Sequence, residues 1–159
     1  MQLVERLAVE KARETGRFYP QALIIGSDQV AVLDEKIVTK PRDHADAVDQ
    51  LREASGREVT LHTGLCLYNS ATGSTQHGVE SYSVVFRTLT DRQIEHYLEK
   101  DRPYNCAGSL KSESLGIALL SKLEGDDPNT LIGLPLIRLV DMLLAEGIDP
   151  VGESALAPA

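Results

Sequence analysis

A carboxylate lies inside the most strand-like stretch of the sequence, residues 24–32, which read IIGSDQVAV. Asp28 interrupts the apolar run, with a serine before it and a glutamine after it. The pattern leaves three interpretations open: an exposed residue on an edge strand, a buried group satisfied by a hydrogen bond or an ion pair, and a general base or metal ligand facing a cleft. Because an unpaired buried charge is costly, a buried Asp28 predicts a partner.

A return strand brings a lysine towards this carboxylate. The apolar run ends at an acidic pair that is a plausible turn, and residues 36–39 then return as a short second strand. If the turn contains two residues, Lys40 lies opposite Gln29, and if it contains three, Lys40 lies opposite Asp28. The lysine is then either half of an ordinary cross-strand ion pair or a phosphate-binding cation beside a general-base or metal-binding carboxylate.

Two further charged residues could take part in the same chemistry. Lys11 continues a helical ridge formed by Leu3 and Leu7, where it is either a lysine whose stem covers apolar surface or a second cation. Glu113 lies in residues 106–116, which are polar, rich in Ser and Gly, and predicted to form a loop. Such loops often contact ligands, although a polar loop is weak evidence by itself.

Several other chemistries are not supported by the sequence. The four histidines are scattered without a ligand spacing, which argues against a zinc site, and no nucleophile-elbow, P-loop or dinucleotide-binding motif is present. Cys66 and Cys106 lie in unrelated contexts and are interpreted as reduced thiols of a cytoplasmic protein. A net charge of −8 without a basic cluster argues against nucleic-acid binding, and no apolar run approaches the roughly 20 residues of a membrane span.

The elements that would hold these residues alternate irregularly along a chain of 159 residues, of which 42% are hydrophobic and 25% charged. Such a chain suits one globular domain, expected at residues 1–147, followed by a fraying tail at 148–159. Hairpins among the strands favour an α/β fold with a mixed sheet and flanking helices over a strict βαβ array. Helices are predicted at residues 4–14, from an N-cap at Asp43 to a stop at Ser55-Gly56, at 93–99 and at 136–144. Strands are predicted at 22–33, 36–39, 58–68, 79–88 and 117–123.

Seven blocks of the sequence together resemble the Maf family of nucleotide pyrophosphatases. They are VERLAVEKA, IIGSDQVAVLD, KIVTKP, LREASG, VESYSVVFRTLT, CAGSLKSESLGIAL and GDDPNTLIGLPL, and the resemblance extends over residues 4 to about 147. The SDQ triplet with CAGSLKSESLGIAL resembles the subfamily that hydrolyses 7-methyl-GTP rather than the one that hydrolyses dTTP and UTP. The resemblance implies an inosine-triphosphatase-like α/β fold with a cleft between two lobes, and often a homodimer.

The resemblance also implies roles for individual residues. Asp28 matches the catalytic aspartate, which accepts a proton and contacts a divalent metal ion, magnesium or manganese. Gln29 and Glu113 match positions linked to base specificity, and Lys11 and Lys40 match lysines that face the phosphates. If Glu113 accepts hydrogen bonds from a guanine edge, Glu113→Gln should alter the preference for purines.

One part of the family pattern precedes the first residue printed. Members begin with a strand and a Ser-x-Ser-x-Arg-Arg loop that binds phosphate, whereas this sequence starts at the VERLA helix. The expectation is therefore an N-terminally truncated Maf-like domain. The alternatives left open are a nucleotide-binding or cell-division regulatory module without turnover, and a dTTP or UTP pyrophosphatase.

Overall fold

The chain folds into four α-helices and five β-strands within residues 2–152, the part that the computed structural model describes. Residues 153–159 of the predicted tail lie outside the described range. Three short 3₁₀ helices, at Ala107–Ser109, Leu115–Leu119 and Pro128–Ile132, complete the described elements. The main elements are α1 (Gln2–Gly16), β1 (Leu23–Leu33), β2 (Lys36–Val38), α2 (His44–Ala54), β3 (Glu58–Asn69), β4 (Thr75–Phe86), α3 (Asp91–Asp101), β5 (Leu120–Glu124) and α4 (Leu136–Ala145).

The strands form one five-stranded sheet in the order β2-β1-β3-β4-β5. The pairs at its two edges, β1 with β2 and β4 with β5, are antiparallel. The predicted α/β class with flanking helices is therefore confirmed. No helix within residues 2–152 is both long enough and apolar enough to span a membrane.

The chain divides into two compact units, each with its own apolar packing. Unit 1 contains Met1–Asp28, Thr63–Glu80 and Gly133–Ala159, and unit 2 contains Gln29–His62 and Ser81–Ile132. Strands β1, β3 and β4 each contribute residues to both units.

In unit 1, helix α1 presses its backbone against the strands. Its buried residues, Val4, Ala8, Ala12 and Gly16, recur every fourth position and are small. A Cβ atom at Gly26 would lie 2.2 Å from the carbonyl oxygen of Ala8, so only glycine fits there. The predicted ridge of Leu3 and Leu7 lies beside the most buried residues of the helix, because close approach to the strands selects the small side chains.

The same contact recurs one strand away, at β3. A Cβ atom at Gly64 would lie 2.2 Å from the carbonyl oxygen of Val4. Helix α1 is thus held against two strands of unit 1 by its own main chain, which leaves its position little freedom.

Unit 2 packs α2 and α3 over the main apolar cluster. The side chain of Asp43 accepts from the backbone N–H of Asp46, which confirms the predicted N-cap. Thr90 and Gln93 form a reciprocal capping box at the start of α3. The two helices bury Ala47, Val48, Leu51, Ala54, Ile94, Tyr97 and Leu98.

The largest errors in the predicted boundaries lie at the starts of β4 and β5. Strand β4 begins at Thr75 instead of residue 79, because its polar start is satisfied by side-chain bonds: Gln76 donates to the carbonyl oxygen of Met142, and His77 pairs with Glu5. Residues 115–119 form a 3₁₀ helix before β5, and the N–H of Gly116 near its start donates to Asp101.

Candidate functional site

Asp28 forms an ion pair with Lys11 in unit 1. The lysine Nζ lies 2.5 Å from Oδ1 of Asp28 and 3.2 Å from the carbonyl oxygen of Ser27. The Asp28 side chain is 19% exposed and that of Lys11 is 57% exposed, so the carboxylate is largely covered while the ammonium reaches solvent. Of the three interpretations of Asp28, the structure excludes the freely exposed one. A cationic partner is present, but it is Lys11, whereas the sequence pattern offered Lys40 for this place.

The position of Lys11 follows from the packing of α1. Gly26, two residues before Asp28, lets the helix backbone touch the strand at Ala8 and Ala12. Lys11 lies between these two contact residues in the sequence, so its backbone is held near β1 and its side chain can reach Asp28. The glycine in IIGSDQ thereby sets the distance at which a lysine can meet the carboxylate.

The hairpin after β1 fixes the register that places Lys40. Asp34 and Glu35 have φ values of 45° and 66°, and Leu33 pairs with Lys36, so the turn contains two residues. The three-residue register, which set Lys40 opposite Asp28, was therefore wrong. The two-residue register aligns Lys40 with Gln29, although the paired part of β2 ends at Val38 and Lys40 lies beyond it.

Gln29 begins the part of β1 that belongs to unit 2. Its Nε2 donates to the carbonyl oxygen of Thr130 at 2.7 Å. This bond orients the amide of the residue that the sequence resemblance linked to base specificity.

The charges of Lys40 and Glu113 both act on the thiol of Cys106 in unit 2. Burial raises the pKa of the Cys106 thiol, the charge of Glu113 raises it further, and the charges of Lys111 and Lys40 lower it. The thiol therefore stays protonated and is unsuited to act as a nucleophile. Two of the predicted site residues, Lys40 and Glu113, therefore influence the same thiol of unit 2 electrostatically.

The donor atoms present suit a metal ion bound together with phosphate. Within residues 2–152, no three side chains of the types His, Cys, Asp and Glu converge as a ready metal cage. Asp28 provides one carboxylate, and Mg²⁺ or Mn²⁺ commonly binds one or two carboxylates together with phosphate oxygens and water. The residues thus fit a divalent ion that is shared with a polyphosphate ligand.

Tyr97 and Asp101 belong to none of the predicted site residues, yet they lie against the polar loop of unit 2. Tyr97 binds the loop backbone on both sides of Leu110, and Asp101 binds Ser114 and Gly116. A signal was available, since two residues four apart lie on one face of a helix. It was overlooked because each residue alone is ordinary in a helix that packs on a core.

Known proteins are similar to nearly the whole of this chain. The family model described as Maf-like protein matches residues 1–146. The 7-methyl-GTP pyrophosphatase of Colwellia psychrerythraea is 56% identical over 153 residues, which cover 96% of this chain and 76% of the relative. The 7-methyl-GTP pyrophosphatase of Methylobacillus flagellatus is 56% identical over 146 residues, covering 92% and 76%, and that of Nitrosococcus oceani is 55% identical over 145 residues, covering 91% and 73%.

Proposed function

Since the chain belongs to the Maf family, we propose that it is a nucleoside triphosphate pyrophosphatase that hydrolyses 7-methyl-GTP to the monophosphate and pyrophosphate. Identities of 55–56% to relatives that carry this name support the substrate. The observation that carries the chemistry is the ion pair between Asp28 and Lys11, because it joins a base to a phosphate-binding cation.

In the proposed reaction, Asp28 is the catalytic residue. Its carboxylate accepts a proton from the attacking water, whose oxygen bonds to the phosphorus that remains on the nucleoside. The phosphoanhydride bond breaks, and its electron pair leaves on pyrophosphate. Lys11, with its ammonium partly exposed, holds phosphate oxygens while it orients the carboxylate. Lys40 has the same phosphate-binding role in unit 2.

We propose that Asp28 and the substrate phosphates hold a magnesium or manganese ion. When bound, such an ion offsets the charge that builds up on the phosphate oxygens. The single carboxylate of Asp28 is the donor that this part of the chain contributes.

Gln29 and Glu113 are proposed to select the base. Glu113 is exposed, so its carboxylate can accept two N–H bonds from the N1 and exocyclic amino groups of a guanine edge. Methylation at N7 gives the base a positive charge, which a carboxylate complements. UTP and dTTP do not present these two adjacent donors and are expected to be poorer substrates.

One assay tests the proposal. Pyrophosphate release from 7-methyl-GTP, GTP, UTP and dTTP is measured with magnesium, with manganese and with a chelator. We expect 7-methyl-GTP to be preferred, the chelator to abolish release, and Asp28→Asn to lower kcat by at least about 100-fold. The matched control is Asp126→Asn, which makes the same change at an exposed turn.

Other results would contradict it. Release that is equal in wild type and Asp28→Asn would remove Asp28 from the mechanism. Binding of 7-methyl-GTP by calorimetry without release would favour a module that binds nucleotide and does not turn it over.

We also propose a homodimer and a cytoplasmic location, as the resemblance to the family implies. Light scattering on the purified chain measures the first and should give twice the chain mass of 17.3 kDa. A mass of 17.3 kDa at all concentrations would exclude the dimer.

A further inference from the structure

We propose that Tyr97 and Asp101 on α3 are positioning residues that set base selectivity by holding the segment that carries Glu113. This segment, residues 109–116, is called the recognition loop below. The inference rests on the proposed function, in which Glu113 contacts the base.

The hydroxyl of Tyr97 forms hydrogen bonds with the first half of the recognition loop. Tyr97 is 1% exposed; its Oη donates to the carbonyl oxygen of Ser109 at 3.0 Å and accepts from the backbone N–H of Lys111 at 2.9 Å. The hydroxyl thus bridges the main chain on both sides of Leu110. Burial raises the pKa of Tyr97 well above its usual range, so the hydroxyl keeps the proton that it donates.

The carboxylate of Asp101 forms hydrogen bonds with the second half of the recognition loop. Asp101 follows Tyr97 by one helical turn, and its Oδ1 accepts from Oγ of Ser114 at 2.9 Å while its Oδ2 accepts from the N–H of Gly116 at 3.2 Å. Glu113 therefore lies between two residues, Lys111 and Ser114, that are each bound to a side chain of α3.

The entry to the recognition loop is held in an unusual conformation. Gly108 and Ser109 have φ values of 65° and 56°, and Ser109 is fully buried. Oγ of Ser109 donates to Oε1 of Gln50 at 2.7 Å. A non-glycine residue keeps a positive φ only where its surroundings enforce it, and such positions cluster at ligand sites.

These bonds fix where the exposed carboxylate of Glu113 can go. Its side chain projects from the loop, so its position relative to a bound base depends on the backbone that Tyr97 and Asp101 hold. A two-point contact with a base edge requires close alignment, and a displacement of about 1 Å can cost about 100-fold in rate. Loosening the loop should therefore weaken 7-methyl-GTP turnover more than turnover of nucleotides that do not use Glu113.

The test compares Tyr97→Phe and Asp101→Asn with wild type. We expect kcat/KM for 7-methyl-GTP to fall about 10- to 100-fold, while the values for UTP and dTTP change less than about twofold. Tyr82→Phe is the matched control, since Tyr82 is also buried in unit 2, at 6% exposed, but lies outside α3 and the recognition loop. An equal loss for all nucleotides would indicate a merely structural role and overturn the inference.

A double-mutant cycle separates this inference from the proposed function. If Tyr97 acts through Glu113, Tyr97→Phe should change selectivity little in a Glu113→Gln background. Additive effects of the two changes would overturn the inference while leaving the proposed function intact. If the wild type does not hydrolyse 7-methyl-GTP, the proposed function itself fails.

Hydrogen exchange tests the anchoring without any substrate. The amide of Lys111 should exchange at least about tenfold faster in Tyr97→Phe than in wild type. Unchanged protection in the recognition loop would contradict the anchoring role whatever nucleotide the protein uses.

Discussion

At the scale of single residues, the ion pair of Asp28 and Lys11 serves chemistry more than stability. An ion pair that is more than half exposed at one end contributes about 0–1 kcal/mol to folding. The same ammonium is well placed to hold an anionic ligand beside the carboxylate. Loss of Lys11 should therefore affect turnover far more than it affects folding.

Lys11→Met tests this separation. It keeps an unbranched side chain of similar length and removes the charge, so we expect kcat/KM for 7-methyl-GTP to fall about 100- to 1,000-fold. The free energy of unfolding should change by less than about 1 kcal/mol. Lys100→Met, at an exposed position on α3, is the control and should leave both quantities unchanged. Full activity of Lys11→Met would exclude Lys11 from phosphate binding.

At the scale of elements, the contact of α1 with β1 connects folding to the site. The helix backbone reaches the strand at Gly26, and Lys11 on that helix meets Asp28 on the same strand. A side chain at Gly26 would push the helix away and separate the pair.

Gly26→Ala should therefore lower both stability and activity. The added methyl group meets backbone at 2.2 Å, which cannot be relieved by a rotamer change, and we expect a loss of about 1–3 kcal/mol or more in urea unfolding. Gly78→Ala is the matched control, because its new methyl meets only the guanidinium end of Arg138, which can move. Equal stability of the two variants would contradict the tight packing of α1.

Sequence patterns predicted the elements with local signals and missed those set by distant contacts. The N-cap at Asp43 and a turn after β1 have local signals, and both are present, although the sequence left open whether the turn contains two residues or three. The partner of Asp28 could not be chosen in advance, because Lys11 reaches it only through the packing at Gly26. Residues 117–119 of the 3₁₀ helix Leu115–Leu119 were predicted as strand, because nothing in their apolar side chains indicates the bond from Gly116 to Asp101.

At the scale of the whole molecule, several titratable groups make stability depend on pH in the same direction. Hydrogen bonds lower the pKa of Asp46, Asp91 and Glu146, and burial lowers the pKa of His62. In each case the unfolded chain binds protons more readily, so stability falls on acidification. The carboxylates reduce the stability when the pH falls below their ordinary pKa values of 3.8 and 4.5. His62 reduces it when the pH falls below the ordinary histidine pKa of 6.5.

The change in stability between pH 7 and pH 5 should therefore depend on His62. We expect the urea midpoint of the wild type to fall relative to that of His62→Gln as the pH is lowered, because only the wild type must keep a buried imidazole neutral against protonation. Relief of the net negative charge near the isoelectric point of 5.0 acts on both proteins alike. Parallel pH profiles of the two proteins would show that His62 does not contribute.

Gly26 and Asp28 stand two positions apart on β1 and should respond to mutation in opposite ways. In a library of all single substitutions, variants at Gly26 should disappear when cells are sorted by the amount of folded protein, since any side chain collides with α1. Variants at Asp28 should pass that sort and disappear only when turnover is selected. Sorting by abundance and by turnover would thus distinguish, within one short strand segment, the residue that builds the site from the residue that is proposed to use it.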